Sequence, residues 1–194
     1  NPPFGHSGES AISSYFLNGA GNAMESGMTA AEWNDFTRFD GNANAFRLLS
    51  HAFNGKREGG FALTYSTLAS IVKYPFESSA ATRSKFGFFQ SEKETWKKIA
   101  EELQIPQFSS GPLVYARHPL VYLVEAADDI CYQVMDVEDA FRLGILSYDE
   151  TVGLLMAFHR GSDLRTQEYL TETRNQVTDL HEQVGHLRAG IIGK

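Results

Sequence analysis

Cysteine occurs once in this chain of 194 residues, at Cys131, so no disulfide can form within it and a reducing, cytoplasmic setting is expected. Basic residues are outnumbered: 17 Lys and Arg against 24 Asp and Glu leave a formal charge of −7. That balance is the opposite of the basic footprint a general nucleic-acid surface needs. A polyanionic ligand would have to be met by local cations or a metal, not by the overall field. No run approaches about 18 consecutive apolar residues, so no membrane span is indicated, and no signal-peptide pattern stands at the start. Alternating strand patterns longer than a few residues are lacking, as are internal repeats. Gly59-Gly60 has neither the flanking strand nor the Lys-Ser/Thr of a phosphate loop and reads as a turn.

What is present is ordinary globular composition, 42% hydrophobic and 21% charged, enough for one unit over residues 1–194 with a sizeable core. Pro2-Pro3 forbids a regular helix at the start, and Gly5 to Gly8 should turn into a helix through Ala11, Ile12, Tyr15 and Phe16. Residues 18–22 read as a loop. Thr29 to Glu32 forms a capping box for a short helix through Trp33. A helix starting near Asn42 carries Ala45, Phe46, Leu48 and Leu49, and another covers Thr64 to Val72, stopped by Pro75. Residues 77–86, polar and Ser-rich, read as a mobile loop. Ser91 to Leu103 is amphipathic, with Trp96, Ile99, Ala100 and Leu103 on one side. Ser147 to Glu150 caps a helix holding Val152, Leu154, Leu155 and Phe158, and a polar last helix runs from about Leu164 to Leu187. The expected architecture is all-α and bundle-like.

The segment from Leu120 to Phe141 stands apart. Leu120, Val121, Leu123, Val124, Ala127, Ile130, Cys131 and Val134 recur at three- and four-residue steps, the pattern of a buried helix. Asp128, Tyr132 and Asp136 are each four apart and fall in one row along it. A carboxylate buried in so apolar a segment needs a metal, a cation or a donor, since burying it unpaired costs several kcal/mol.

Five blocks in order carry a resemblance: Asn1-Pro2-Pro3-Phe4-Gly5-His6-Ser7-Gly8-Glu9, Phe39-Asp40-Gly41-Asn42-Ala43-Asn44-Ala45-Phe46-Arg47, Leu63 to Pro75, Gly87-Phe88-Phe89-Gln90-Ser91-Glu92, and the Leu120 helix. Together they resemble the HD-domain deoxynucleotide triphosphohydrolases, the dGTPase-like family, across nearly the whole chain. The resemblance implies an HD-domain helical bundle that hydrolyses a dNTP to a deoxynucleoside and inorganic triphosphate. It also implies a divalent ion (Mn, Mg or Fe) and homo-oligomers, often hexamers, with regulatory dNTP or single-stranded-DNA sites. The family's metal site is a His, a His-Asp pair and a later Asp. The first three lie before the point matching Asn1 and are not in this chain, which reads as an internal fragment ending at a mid-protein segment and supplying only the last ligand, at Asp128.

Carried over position by position, the resemblance makes His6 and Glu9 the catalytic pair, an imidazole held by a carboxylate near the α-phosphate, where an imidazolium can stabilise charge or protonate the leaving 5′ oxygen. Tyr132 and Asp136 match the sugar positions: the ring leaves no room for a 2′-hydroxyl and the carboxylate accepts from the 3′-hydroxyl. Lys73 and Tyr74 match a triphosphate-contacting pair. Each residue also has a plainer reading: a turn histidine with an exposed glutamate, a solvated helix aspartate, a core tyrosine, a helix-end lysine. For Asn42, a face toward the nucleotide and an N-cap role stand equally. Arg117 to Pro119 serves either phosphate or loop packing, Asp129 is a neighbour outside the metal's immediate ligands, and His51, His159, His181 and His186 are surface or packing residues. The rival functions are a non-catalytic nucleotide- or single-stranded-DNA-binding scaffold and an HD phosphohydrolase acting on monophosphates.

Overall fold

A computed structural model of the chain describes residues 4–55, 59–158 and 164–192. Pro2-Pro3 and His159 lie outside them. The chain divides into two compact units, the first ending at Val124 and the second beginning at Glu125.

In the first unit, α1 (Gly5–Asn18) begins at Gly5 itself. Within residues 18–22, read as loop, Ala20 opens a 3₁₀ helix that runs over Ala20–Gly27. The Thr29 capping box is present and starts α2 (Ala30–Thr37): the Thr29 hydroxyl accepts from the Glu32 amide and the Glu32 carboxylate accepts from Thr29. The next helix, α3 (Gly41–Ser50), is capped by Asp40, whose Oδ1 accepts from the Asn42 amide at 2.9 Å. Asn42 is thus not the cap; it sits two positions in, and its Nδ2 donates to the same Asp40 oxygen at 2.9 Å. Thr64 caps α4 (Tyr65–Ser70), and α5 (Lys93–Glu102) buries Trp96, Ile99 and Ala100 as its pattern requires.

Trp96 is the centre of this core. Its ring stacks on Phe88 at 5.6 Å and meets Phe46 and Tyr115 edge-on at 5.8 and 6.1 Å. A short hairpin, β1 (Gln107–Ser110) and β2 (Leu113–Tyr115), closes one side through a cis Gly111-Pro112 turn. Four- and three-residue strands are too short for alternation to register in sequence.

Residues 77–81, expected to be mobile, are tied down. Glu77 accepts from the Leu113 amide at 2.7 Å and from Gln90 Nε2 at 3.2 Å and pairs with Lys93 Nζ at 2.5 Å. Ser78 donates to Asp35 at 2.5 Å, and Arg38 donates to the carbonyls of Ser78 and Ala81. A polar segment can be anchored through its polarity when buried partners are supplied from elsewhere in the chain.

The two units divide within α6 (Leu120–Arg142), whose start is steadied by His118 Nδ1 accepting from the Leu120 amide at 3.3 Å. The pattern calls for a buried helix, yet along α6 the buried residues are Val121, Val134 and Glu138, while Leu123 and Ile130 are 66% and 59% exposed. Apolar periodicity tells which face can be covered, not whether an element arrives to cover it.

In the second unit, Val134 packs with Val152 and Leu155 of α7 (Tyr148–Ala157) and with Val184 and Leu187 of α9 (Leu180–Ile192). The Ser147 capping box is present. The expected single last helix is broken into α8 (Leu164–Gln176) and α9. The break is made by Asp179, whose carboxylate accepts from the Glu182 amide at 2.8 Å, and by Gln183, whose side-chain amide donates to the Val177 carbonyl at 2.6 Å. The buried Glu138 accepts from Arg142 at 2.7 Å and also from Arg188.

Candidate active site

The predicted residues fall into three groups, two in the first unit and one in the second. The first is built where α1 meets the start of α3. His6 and Glu9 are one helical turn apart on α1, and His6 Nδ1 stands 3.9 Å from Glu9 Oε2. That is ion-pair range for a protonated ring and too long for a hydrogen bond. The imidazole is 79% exposed, whereas the Glu9 side chain is 13% exposed. Glu9 is well fixed: Oε1 accepts from the Gly41 amide at 3.0 Å and Oε2 from Lys85 Nζ at 3.2 Å. Phe4, Gly8, Glu9, Phe39, Asn44 and Leu48 line a cavity of about 200 Å³ beside it.

Asp40 and Lys85, which sequence reasoning did not single out, complete this group. Asp40 is fully buried, its Oδ2 accepts from the Phe86 amide at 2.8 Å, and Lys85 Nζ lies 3.5 Å from its Oδ1. Burial alone would lower the Lys85 pKa, but the Asp40 and Glu9 carboxylates more than offset that and hold it above its usual value. Asp40 had a local signal as the cap before Gly41. Lys85 had none, being 76 positions from Glu9.

Across α3, a second cavity of about 490 Å³ is lined by Asp35, Phe36, Phe39, Asn44, Arg47 and Gln90 among others. Burial pushes the Asp35 carboxyl up to about 6, against the opposing hydrogen bonds from Ser78 and the Gln90 amide. Arg47 and His51 converge on the buried Glu92 at 2.5 and 3.2 Å. His51 is thereby anchored to a carboxylate rather than merely packed. His181 does pack, its ring 4.7 Å from that of Phe141. A cleft of about 700 Å³ between α5 and the hairpin holds none of the predicted residues.

The second group surrounds Tyr74. Lys73 Nζ lies 5.9 Å from the centre of its ring and the Arg117 guanidinium 5.8 Å, with Arg117 also 5.9 Å from the Tyr122 ring. Two cations therefore share one phenol. Gly87 makes this possible, because a Cβ there would stand 2.2 Å from the Tyr74 carbonyl oxygen.

The third group is on α6, where Asp128, Tyr132 and Asp136 share a row and all three are exposed, Tyr132 at 57%. The core reading of Tyr132 does not hold; its ring is available. Among the described residues no three His, Cys, Asp or Glu side chains converge as metal ligands, and Asp128 alone does not make a metal site.

No family model matches the chain. Curated proteins do. A deoxyguanosinetriphosphate triphosphohydrolase-like protein of Pseudomonas aeruginosa (strain LESB58) is 44% identical over 169 residues, 84% of this chain and 38% of that protein. One from Synechocystis is 41% identical over 160 residues, 76% of this chain and 36% of its own length. A deoxyguanosinetriphosphate triphosphohydrolase of Yersinia enterocolitica is 32% identical over 183 residues, 77% of this chain and 34% of its own. The chain thus spans about a third of the length of the curated relatives it matches. Fold and relatives together define a mostly helical chain consistent with part of an HD-domain helical bundle. Within that class, the chain is homologous to the dGTPase-like proteins over most of its length. Among the described residues, no helix is long and apolar enough to cross a membrane.

Proposed function

We propose that this chain forms the catalytic-pair and sugar-binding part of a dNTP triphosphohydrolase that releases a deoxynucleoside and inorganic triphosphate in the cytoplasm. The observation that carries the reading is the fixed Glu9: both oxygens are held by donors, and the one shared with Lys85 faces the His6 imidazole. In a 79% exposed position that imidazole is open to a substrate, and Glu9 orients it to stabilise charge at the α-phosphate or to give a proton to the leaving 5′ oxygen. Lys73, beside Tyr74 and Arg117, brings positive charge to triphosphate oxygens in a chain that is otherwise acidic. Tyr132 covers C2′ of the sugar, Asp136 accepts from its 3′-hydroxyl and Asn42 faces the nucleotide. The family resemblance implies a Mn, Mg or Fe ion, with Asp128 as its ligand from this chain. Among the described residues no set of ligands composes that site, so Asp128 would act there only together with ligands from outside them, whereas the roles given to His6, Glu9, Lys73, Tyr132 and Asp136 are their own. By the same resemblance, the protein works as a homo-oligomer, such as a hexamer, with regulatory dNTP or single-stranded DNA.

The test is to incubate the full-length protein with Mn²⁺ and each dNTP in turn and separate products by ion exchange. Inorganic triphosphate with deoxynucleoside is the expected result and ranks the bases. No product from any dNTP, with metal bound, would point to the non-catalytic nucleotide- or DNA-binding scaffold or to a monophosphate substrate. In the same protein, Asp128→Ala should lose metal and activity together, while His6→Ala keeps metal and loses turnover. Equal loss of folding in both variants, read by thermal denaturation, would sink the assignment.

A further inference from the structure

We propose that Lys85 is a positioning residue for the His6–Glu9 pair, acting as the shared counter-ion that fixes the Glu9 carboxylate. The inference rests on the triphosphohydrolase reading and adds to it a residue outside the resemblance.

Three observations converge on it. Lys85 Nζ bridges two carboxylates, 3.2 Å from Glu9 Oε2 and 3.5 Å from Asp40 Oδ1, an arrangement that suits the three donors of an ammonium. Asp40 is fully buried and the Glu9 side chain is 13% exposed; without a cation between them the two carboxylates would repel. The Glu9 oxygen that Lys85 holds is also the one His6 meets, while the other is pinned by the Gly41 amide. With both oxygens engaged, Glu9 cannot rotate, and the direction from which it holds the imidazole is set.

The frame around Lys85 is closed. Asp40 accepts from the Asn42 amide and side chain through Oδ1 and from the Phe86 amide through Oδ2, and Phe86 is the residue next to Lys85. The loop bearing Lys85 is thereby locked to the start of α3, and the ammonium reaches α1 as part of one hydrogen-bonded assembly. Lys85 touches the orienting carboxylate and not the imidazole, so its contribution is to geometry and charge balance at Glu9.

The experiment compares the full-length wild-type protein with Lys85→Gln, Lys85→Arg, Glu9→Gln and the Lys85→Gln/Glu9→Gln pair, measuring kcat and KM for triphosphate release alongside the thermal midpoint. Lys85→Gln should lower kcat by about 10- to 100-fold, the range for partners that orient a functional ligand, with KM unchanged and the protein folded. Lys85→Arg should restore most of kcat, and the double variant should be little worse than Glu9→Gln alone, since both changes disable the same carboxylate. Wild-type kcat in Lys85→Gln would overturn the inference while leaving the triphosphohydrolase reading intact. So would a raised KM at constant kcat, which would make Lys85 a direct triphosphate contact. Should Lys85→Gln unfold, the outcome passes to Lys85→Arg: a folded Arg variant with kcat as low as Glu9→Gln overturns the role. A wild-type protein that releases no triphosphate defeats the reading itself, and the positioning role with it.

Discussion

At the scale of single residues, the partners a buried group meets set its chemistry more than burial alone does. Asp35 and Glu77 are neighbouring buried carboxylates with opposite responses. For Asp35 desolvation wins and its pKa rises from 3.8 to about 6. For Glu77 burial also pushes up, but the hydrogen bonds from Lys93, the Leu113 amide and Gln90 win and the pKa falls below its usual 4.5. The folded state holds the Asp35 proton more tightly than the unfolded chain, so its stabilising contribution is complete below about pH 3.8 and is lost as pH rises through about 6. The contribution of Glu77 runs the other way, being present above about pH 4.5 and lost on acidification. Asp35→Asn keeps an acceptor for the Gln90 amide and removes the titration. Its unfolding free energy should gain on wild type between about pH 4 and 7, as urea denaturation would show. Parallel stability curves over that range would mean that the carboxyl titrates normally.

At the scale of elements, what holds a segment in place depends on how far away its partners are. Both capping boxes, at Thr29 and Ser147, join residues three apart, and both were legible because a cap is a local bargain between a side chain and the next turn. The Tyr74 segment is different: its position depends on Gly87, where backbone passes so close to the Tyr74 carbonyl that no side chain fits. Gly87→Ala should therefore cost about 1–3 kcal/mol of stability, as overpacking does, and displace the Lys73-Tyr74 pair. On the proposed triphosphohydrolase reading, the expected kinetic result in the full-length protein is a raised KM for dNTP, because the displaced groups are those assigned to the triphosphate. A stable variant with wild-type KM would separate Tyr74 from substrate binding.

At the scale of the whole molecule, a net charge of −7 and an exposed apolar helix define the surface. Leu123, Val124, Ile130 and Met135 of α6 are each more than two-fifths exposed. Exposed apolar side chains of this kind are open to an apolar probe. The 194-residue chain should bind a hydrophobic dye such as ANS, and Leu123→Gln with Ile130→Gln should reduce the fluorescence without lowering the thermal midpoint, since exposed positions carry little stability, within about 0.5 kcal/mol. Fluorescence unchanged by the substitutions would place the dye elsewhere.

The sequence by itself determined most of the helices, the capping boxes at Thr29 and Ser147, the row of Asp128, Tyr132 and Asp136 and the resemblance to the dGTPase-like proteins. All of these rest on residues within a few positions of one another or on blocks read in order. It also showed His6 and Glu9 one turn apart, but not what fixes them. Tertiary structure alone decided that Lys85 reaches Glu9 across 76 positions, that Glu77 clasps the hairpin at Leu113, that His51 turns to Glu92, and that α6 buries Val121 and Val134 while leaving Leu123 and Ile130 exposed. The physical reason is the same in each case. Periodicity and propensity record what a residue offers its near neighbours along the chain, whereas a counter-ion, a clasp or a covering surface comes from whatever distant segment folding brings within a few ångströms.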